Sequence, residues 1–495
     1  MVSRHFVAIC GDSSDRNCCG TTGRDSVPAA HQMLSSLIPR LLPPSVPSSA
    51  PRTLRSVAII GAGAAGLAAA RELRREGHGV VVFERGAEVG GTWIYNPTVE
   101  SDPVGLDPER HVIHSSLYAS LRTNLPREVM GFLDYPFVVR KNSEDFRRFP
   151  GHREVLRYLK DFARDFDLCG MIRLETEVVR LAIEGDGRWS VRSRKVGKDL
   201  DGGDHYEEEI YDGVVVCNGH YTEPRIAHIP GIDAWPGQQI HSHNYRVPCP
   251  FYDQVVVLIG SAASAHDISR DIAGVAKEVH VAARSAPAGT LVKQPGYDNM
   301  WLHSMIESAH EDGTLVFQDG SSAHADVIMH CTGYKYHFPF LDTKGIVTID
   351  DNCVGPLYKH IFPPKLAPGL SFIGLPWKVV PFPLCELQSK WVAGVLSGRV
   401  TLPTQIEMME DIKALYSEME VNGLPKRHFH NIGNYQFEYD DWLATECGYP
   451  AVEEWRKLMY SECGKNKIAR PESYRDDWND DHLVAQAMED FKKFL

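Results

Sequence analysis

The chain has 495 residues, 43% hydrophobic and 24% charged, with a formal net charge of -13 at pH 7. That composition fits a globular protein of two or three domains with a sizeable core. The acidic balance, with no block of Lys and Arg, argues against a nucleic-acid surface. The 11 cysteines, odd in number and without a CxxC pair, argue against a disulfide framework or a thioredoxin-type centre.

Residues 1–54 are rich in Ser, Pro and Arg and lack periodicity. They read as a disordered or targeting extension. The acid-free stretch from Val27 to Pro51 suits a chloroplast or mitochondrial transit peptide, whereas Asp12, Asp15 and Asp25 favour a plain extension and a cytoplasmic protein. The most apolar piece, residues 34–42, is short and broken by Pro39, so no membrane anchor is expected.

From Ser56 a strand–turn–helix–strand pattern begins. An apolar strand at 56–60 leads into Gly61-Ala62-Gly63-Ala64-Ala65-Gly66, then a helix, then a strand at 79–83 followed by Glu84. Gly61 allows the tight turn, Gly63 lets backbone approach a pyrophosphate, and Gly66 permits close helix–strand packing. Glu84 sits at the spacing of a ribose-binding acid. A second glycine turn, Gly90-Gly91-Thr92-Trp93, follows and favours the larger cofactor, FAD.

Apolar spacing at Val155, Leu156, Leu159 and Phe162 predicts a helix over 154–166. A hairpin-like region follows at 189–192 and 207–218. Residues 213–219 read as a buried strand ending in a glycine turn, a design repeated at 325–333. Between these two strands lies a second nucleotide unit: a strand at 255–259, then Gly260-Ser261-Ala262-Ala263-Ser264-Ala265, a helix containing Asp267, and a strand at 279–284 ending in Arg284. An arginine at that place suits the 2′-phosphate of NADPH. Ala262 and Ala265 stand where the standard pattern has glycine, which bears on NADPH affinity.

The predicted fold is α/β: two Rossmann-like dinucleotide-binding domains, the NADPH domain inserted into the FAD domain, plus a helical C-terminal segment. The chain should leave the first domain near Gly219 and return near Thr332. The expected division is 1–54 extension, 55–222 FAD-binding, 223–328 NADPH-binding with its linker, and 329–495 the rest of the FAD domain with C-terminal helices. A helix over 384–396, preceded by Pro381 and Pro383, carries an apolar stripe at Leu384, Leu387, Trp391 and Val395. His241 and His243 read as a solvated or hydrogen-bonded loop. No metal site is expected, because no third ligand lies near them.

Residues Trp235, Gly237, His241 and Tyr245 match the fingerprint F-x-G-x-x-x-H-x-x-x-Y of the flavin-containing monooxygenases, with Trp235 in place of Phe. Residues 121–126, 217–224 and 331–341 add further matches. From residue 57 to the end the sequence resembles that family, most closely its plant S-oxygenating, glucosinolate S-oxygenase-like branch. Gly260 and Ser264 match that branch, while Ala265 and the adjacent His266 depart from it. The resemblance implies FAD and NADPH as cofactors, O2 and a small thioether as substrates, and sulfoxide formation through a C4a-hydroperoxyflavin. It places Thr123 at the cofactor and Asn124 as the catalytic amide at the flavin–nicotinamide junction. The local sequence also allows a plain turn asparagine before Pro126. N-oxygenation, auxin-type decarboxylation, and a weakened flavoprotein NADPH oxidase are the competing functions. A homo-oligomer is left open.

Overall fold

The computed structural model describes residues 53–107, 115–197, 205–287 and 289–495. The expected extension therefore lies outside the described residues, apart from its last two positions. Strand β1 (Ser56–Ile60) leads through the glycine turn into α1 (Ala64–Arg75), and the chain returns as β2 (Gly79–Phe83) parallel to β1. Helix α2 (His152–Asp165) precedes the short β3 (Ile172–Arg173). An antiparallel layer of Thr176–Ile183, Trp189–Lys195 and Tyr206–Tyr211 then leads into β4 (Gly213–Val216). The hairpin expected here thus has three strands.

The second unit opens with β5 (Gln238–His241). It continues through β6 (Val255–Ile259), α3 (Ala263–Ala273), β7 (Glu278–Ala282), β8 (Leu291–Lys293), β9 (Met300–His303) and β10 (Val327–His330). The chain then supplies β11 (Leu370–Phe372), α4 (Pro381–Leu396) and, among later helices, α5 (Glu454–Ala469).

The first sheet has the order β11-β4-β1-β2-β3, all parallel. The second has the order β8-β9-β7-β6-β10-β5, with only β8 antiparallel to its neighbour. Buried parallel strands carry continuous apolar runs because both faces are covered; here each sheet packs on helices on one face and on antiparallel strands on the other. In keeping with this, Val57, Ala58 and Ile59 in β1 and Val256, Val257 and Leu258 in β6 are wholly buried. The two passages between the sheets run side by side: Glu223–Pro224 pairs antiparallel with Tyr334–Lys335. The expected division after residue 328 cuts through β10, whose four residues all pair within the second sheet; the return passage lies after His330.

Helix α4 differs from its expected form. It starts at Pro381, whose missing N–H is harmless in a first turn. It is buried on every side from Phe382 to Leu396 rather than along one stripe. Its polar residues are therefore partnered: Glu386 accepts from the Leu133 amide at 2.6 Å and pairs with Arg71 and Lys390, while Gln388 accepts from the Gly374 amide at 2.9 Å. The carboxylates of Glu72, Asp134 and Glu386 lie within 4.8 Å of one another. Arg71, Arg75 and Lys390 engage all three, so the group is an ion-pair network inside the core.

Candidate active site

The first glycine turn is a backbone cradle. Gly61 adopts φ +103°, and a Cβ there would meet the Cys217 carbonyl oxygen at 2.6 Å. A Cβ on Gly66 would stand 1.9 Å from the Gly61 oxygen, so α1 packs directly on the turn. The amide of Gly90 donates to the Ala62 carbonyl at 3.0 Å, which draws the second glycine turn over the first. Helix α1 has no side-chain cap at Gly63 and no acid in its first turn. Its leading amides at Ala64 and Ala65 are thus available to an anion. Glu84 accepts from the Ala62 amide and from the Gly86 amide, each at 2.7 Å. This fixes its carboxylate at the edge of the turn. Thr92 and Trp93 lie in the one-turn helix Gly91–Trp93, and Trp93 meets Phe382 of α4 edge-on at 6.3 Å. These features fit a bound dinucleotide: glycines where a methyl group would intrude, and an uncapped helix start.

The second turn repeats the plan with a looser fit. Gly260 has φ +115° and would clash with the Cys331 carbonyl if given a Cβ. Helix α3 also lacks a side-chain cap, at Ala262, and carries no acid in its first turn. Ala262, Ala263 and Ser264 are exposed along the turn. Ala265, by contrast, is buried and packs in the core with Tyr118, Tyr245 and Ile268. It shares that cluster with Val256 and Leu258 of β6, so its methyl group is accommodated in the apolar core. Arg284 is exposed in the turn after β7, since that strand ends at Ala282. Ser261 and Ser285 share a hydrogen bond of 3.0 Å, joining the glycine turn to the Arg284 turn. Arg225, in the passage between the sheets, lies close enough to Arg284 for their charges to repel. Ser285 and Arg225, which the structure brings to this turn, carry no sequence pattern of their own.

Asp267, expected among the cofactor-binding residues, is tied through one of its two oxygens. Its Oδ2 accepts from the Tyr118 hydroxyl at 3.0 Å and from Arg475 at 2.7 Å. His266 accepts from Arg270, and burial together with that guanidinium pushes its pKa down to about 4.

Thr123 and Asn124 sit on a tightly tied loop. The Thr123 amide donates to Pro150 at 2.9 Å, and the Thr123 carbonyl accepts from Arg475 at 3.0 Å. The Asn124 carbonyl accepts from the Cys463 thiol of α5 at 3.6 Å. The Asn124 side chain is exposed and makes no hydrogen bond to another described residue. A fixed backbone therefore presents a carboxamide with its donors and acceptor open.

The fingerprint residues build the scaffold between the two units. Trp235 is buried, donates to the Gly313 carbonyl at 3.1 Å, and packs against Gly237, where a Cβ would be 2.2 Å from the ring. Tyr245 donates to Asp271 of α3 at 2.5 Å. Of the solvated or hydrogen-bonded loop expected here, the structure has the hydrogen-bonded form, as an edge strand followed by a buried turn: His241 and His243 are both fully buried. His241 Nε2 bonds the Gly333 carbonyl at 3.0 Å, its Nδ1 accepts the His243 amide at 3.0 Å, and His243 Nε2 meets Glu100 at 2.8 Å.

A model of the flavin-binding monooxygenase-like family matches residues 54–306 and 298–449. The chain is 61% identical over 452 residues to the Arabidopsis thaliana flavin-containing monooxygenase FMO GS-OX-like 5, covering 90% of this chain and 99% of that one. It is also 61% identical over 439 residues to Arabidopsis thaliana FMO GS-OX5, covering 88% and 94%. The solved structure of S-allyl-L-cysteine S-oxygenase from Allium sativum superposes with a TM-score of 0.87 at 67% identity, covering 90% of this chain and 100% of that one. Among the described residues, no helix is long and apolar enough to cross a membrane. The chain belongs to the flavin-binding monooxygenase-like family, and it is a flavin-containing monooxygenase of the plant GS-OX-like type.

Proposed function

We propose that this protein oxygenates thioether sulfur: thioether, O2, NADPH and a proton give sulfoxide, water and NADP+. FAD would lie at the turn of residues 61–66 and NADPH at the turn of residues 260–265. The flavin supplies the electrophilic oxygen, which no side chain can provide. The chain's own part is to bind, orient and shield. Gly61, Gly63, Gly66 and the amides opening α1 receive the FAD pyrophosphate, with Glu84 at its ribose and Gly91, Thr92 and Trp93 beyond. Gly260, Ser261 and the start of α3 receive the NADPH pyrophosphate, while Arg284, Ser285 and Arg225 converge where a 2′-phosphate would need cations. Asn124 offers a donor and an acceptor to the reacting oxygen and to the nicotinamide.

The observation that carries this proposal is the open carboxamide of Asn124 on a backbone bonded at both flanking peptides. Likeness to the S-allyl-L-cysteine S-oxygenase at 67% identity supports sulfur as the acceptor atom and an S-alkyl or S-alkenyl cysteine as one substrate class. The resemblance of residues 217–224 and 331–341 to the glucosinolate S-oxygenase-like branch supports methylthioalkyl glucosinolate-like thioethers as the other. The test is to supply the flavin-loaded protein with NADPH and each thioether, then measure sulfoxide and hydrogen peroxide together. Sulfoxide formed in step with NADPH consumption is expected. Peroxide without sulfoxide from every thioether would overturn the proposal in favour of an NADPH oxidase.

A further inference from the structure

Four charged residues on the segment between α5 and the last helix fasten the two units. Glu472 pairs with Arg270 of α3 at 2.7 Å, and Arg475 pairs with Asp267 of α3 at 2.7 Å. Asp476 pairs with Arg122 at 2.7 Å, and Asp480 with Arg148 at 2.6 Å, both on the first unit. Arg475 differs from the other three in touching both sides with one side chain. Its Nε donates to the Thr123 carbonyl at 3.0 Å while its terminal nitrogen holds Asp267. The Tyr118 hydroxyl, from the same stretch as Thr123, reaches the same Asp267 oxygen at 3.0 Å.

The Thr123 carbonyl belongs to the peptide plane that precedes Asn124. A peptide unit is rigid, so holding that oxygen sets the orientation from which the Asn124 side chain departs. The following plane is held through the Asn124 carbonyl by Cys463. Asp267 lies in the second turn of α3, directly behind the second glycine turn. The guanidinium fork thus fixes the Asn124 loop and the second nucleotide helix at one mutual distance. We propose that Arg475 is a positioning residue that sets Asn124 against the nicotinamide side of the site. This rests on the function proposed above. A lysine keeps the charge but lacks the planar fork, so it can satisfy Asp267 without also holding Thr123.

The test compares the full-length, flavin-loaded wild type with Arg475→Ala and Arg475→Lys. Two readouts are needed: the sulfoxide-to-peroxide ratio per NADPH, and amide hydrogen exchange over residues 121–126. A misplacement of about 1 Å at a reacting group can cost about 100-fold. Arg475→Ala should therefore lower the ratio about tenfold or more and speed exchange at 121–126, with β1 as protected as before. Arg475→Lys should keep the NADPH KM near wild type while its ratio falls between the two, a split that a general loss of stability does not produce. It also decides the matter if the alanine variant does not fold. An unchanged ratio in both variants overturns the proposal, even with faster exchange, since Arg475 would then be only a brace. If the wild type forms no sulfoxide at all, the functional proposal falls separately. The NADPH KM for peroxide formation then replaces the ratio, and its constancy in Arg475→Ala overturns the role of Arg475, whatever the exchange.

Discussion

A methyl group built on Gly91 would stand 2.9 Å from the Cα of Gly63, so the two glycine turns touch backbone to backbone. The contact is asymmetric. A methyl on Gly63 meets Gly91 only at 3.5 Å, and Gly63 has an ordinary φ of -74°. Gly91 has φ +57°, which disfavours any side chain there. Gly63→Ala should therefore fold with a stability within about 1 kcal/mol of wild type yet purify with far less bound flavin. Gly91→Ala should lose about 1 kcal/mol or more even without cofactor. Denaturant melts of the flavin-free proteins, beside flavin absorbance of the purified ones, separate the two effects. Full flavin content in Gly63→Ala would remove it from the pyrophosphate site.

Asn124→Ala should leave stability unchanged, because the side chain makes no hydrogen bond to another described residue and is exposed. Its effect should fall on chemistry. Removing one preorganised donor at a reacting oxygen typically costs about 100-fold or more in rate, and a fall of at least about tenfold in sulfoxide per NADPH is expected here, with peroxide making up the difference. Unaltered coupling would return Asn124 to the status of a turn residue before Pro126.

The parts of this molecule that were legible in the sequence are those governed by local pattern. β1 and β6 are continuous apolar runs because both faces of a parallel sheet are covered, and each is followed by a glycine whose φ only glycine holds easily. The limits of local pattern show at Asp267. Its position in the second turn of a helix that follows a glycine turn suggests a cofactor contact, and no spacing rule connects it to Tyr118 and Arg475, which hold its Oδ2. Arg475 and Thr123 are 352 positions apart. His241 and His243 read as a solvated or hydrogen-bonded loop, and of these the hydrogen-bonded form is found: Gly333 and the His243 amide hold both nitrogens of His241, and Glu100 holds Nε2 of His243, while its buried Nδ1 has no hydrogen-bond partner among the described residues.

Ala265 carries the second lesson about the turn. At the matching place in the first unit, Gly66 leaves no room for a methyl. Ala265 is buried among apolar residues of the second core instead. Ala265→Gly should therefore leave the NADPH KM within about twofold and reduce stability by about 1 kcal/mol, the usual cost of glycine in a helix. A markedly lower KM would show that the methyl obstructs the nucleotide after all.

Arg284 stands in the turn joined to the glycine turn by the Ser261–Ser285 hydrogen bond, and Arg225, held on the Thr332 carbonyl, is near enough for the two charges to repel. A 2′-phosphate would answer their mutual repulsion, and NADH has none. Arg284→Ala should raise the NADPH KM about tenfold, the worth of roughly 1.4 kcal/mol, while leaving the NADH KM little changed. Equal changes for both nucleotides would place the 2′-phosphate elsewhere.

His241 gives the protein an acid-sensitive joint. Its Nδ1 accepts the His243 amide, so protonating the ring breaks that bond, and burial with the neighbouring His243, His330 and Arg225 pushes its pKa down to about 3. An unfolded histidine titrates near about 6.5. Between these values the unfolded chain takes up a proton that the native chain refuses. The stabilisation is therefore complete above about pH 6.5 and is lost progressively as pH falls toward about 3. Denaturant midpoints should drop across this range in wild type. In His241→Gln, which keeps a donor toward Gly333 but does not titrate, the slope should be shallower by about one proton. An identical slope in the variant would assign the acid sensitivity to the other buried histidines, such as His330 and His360, whose pKa values burial also depresses.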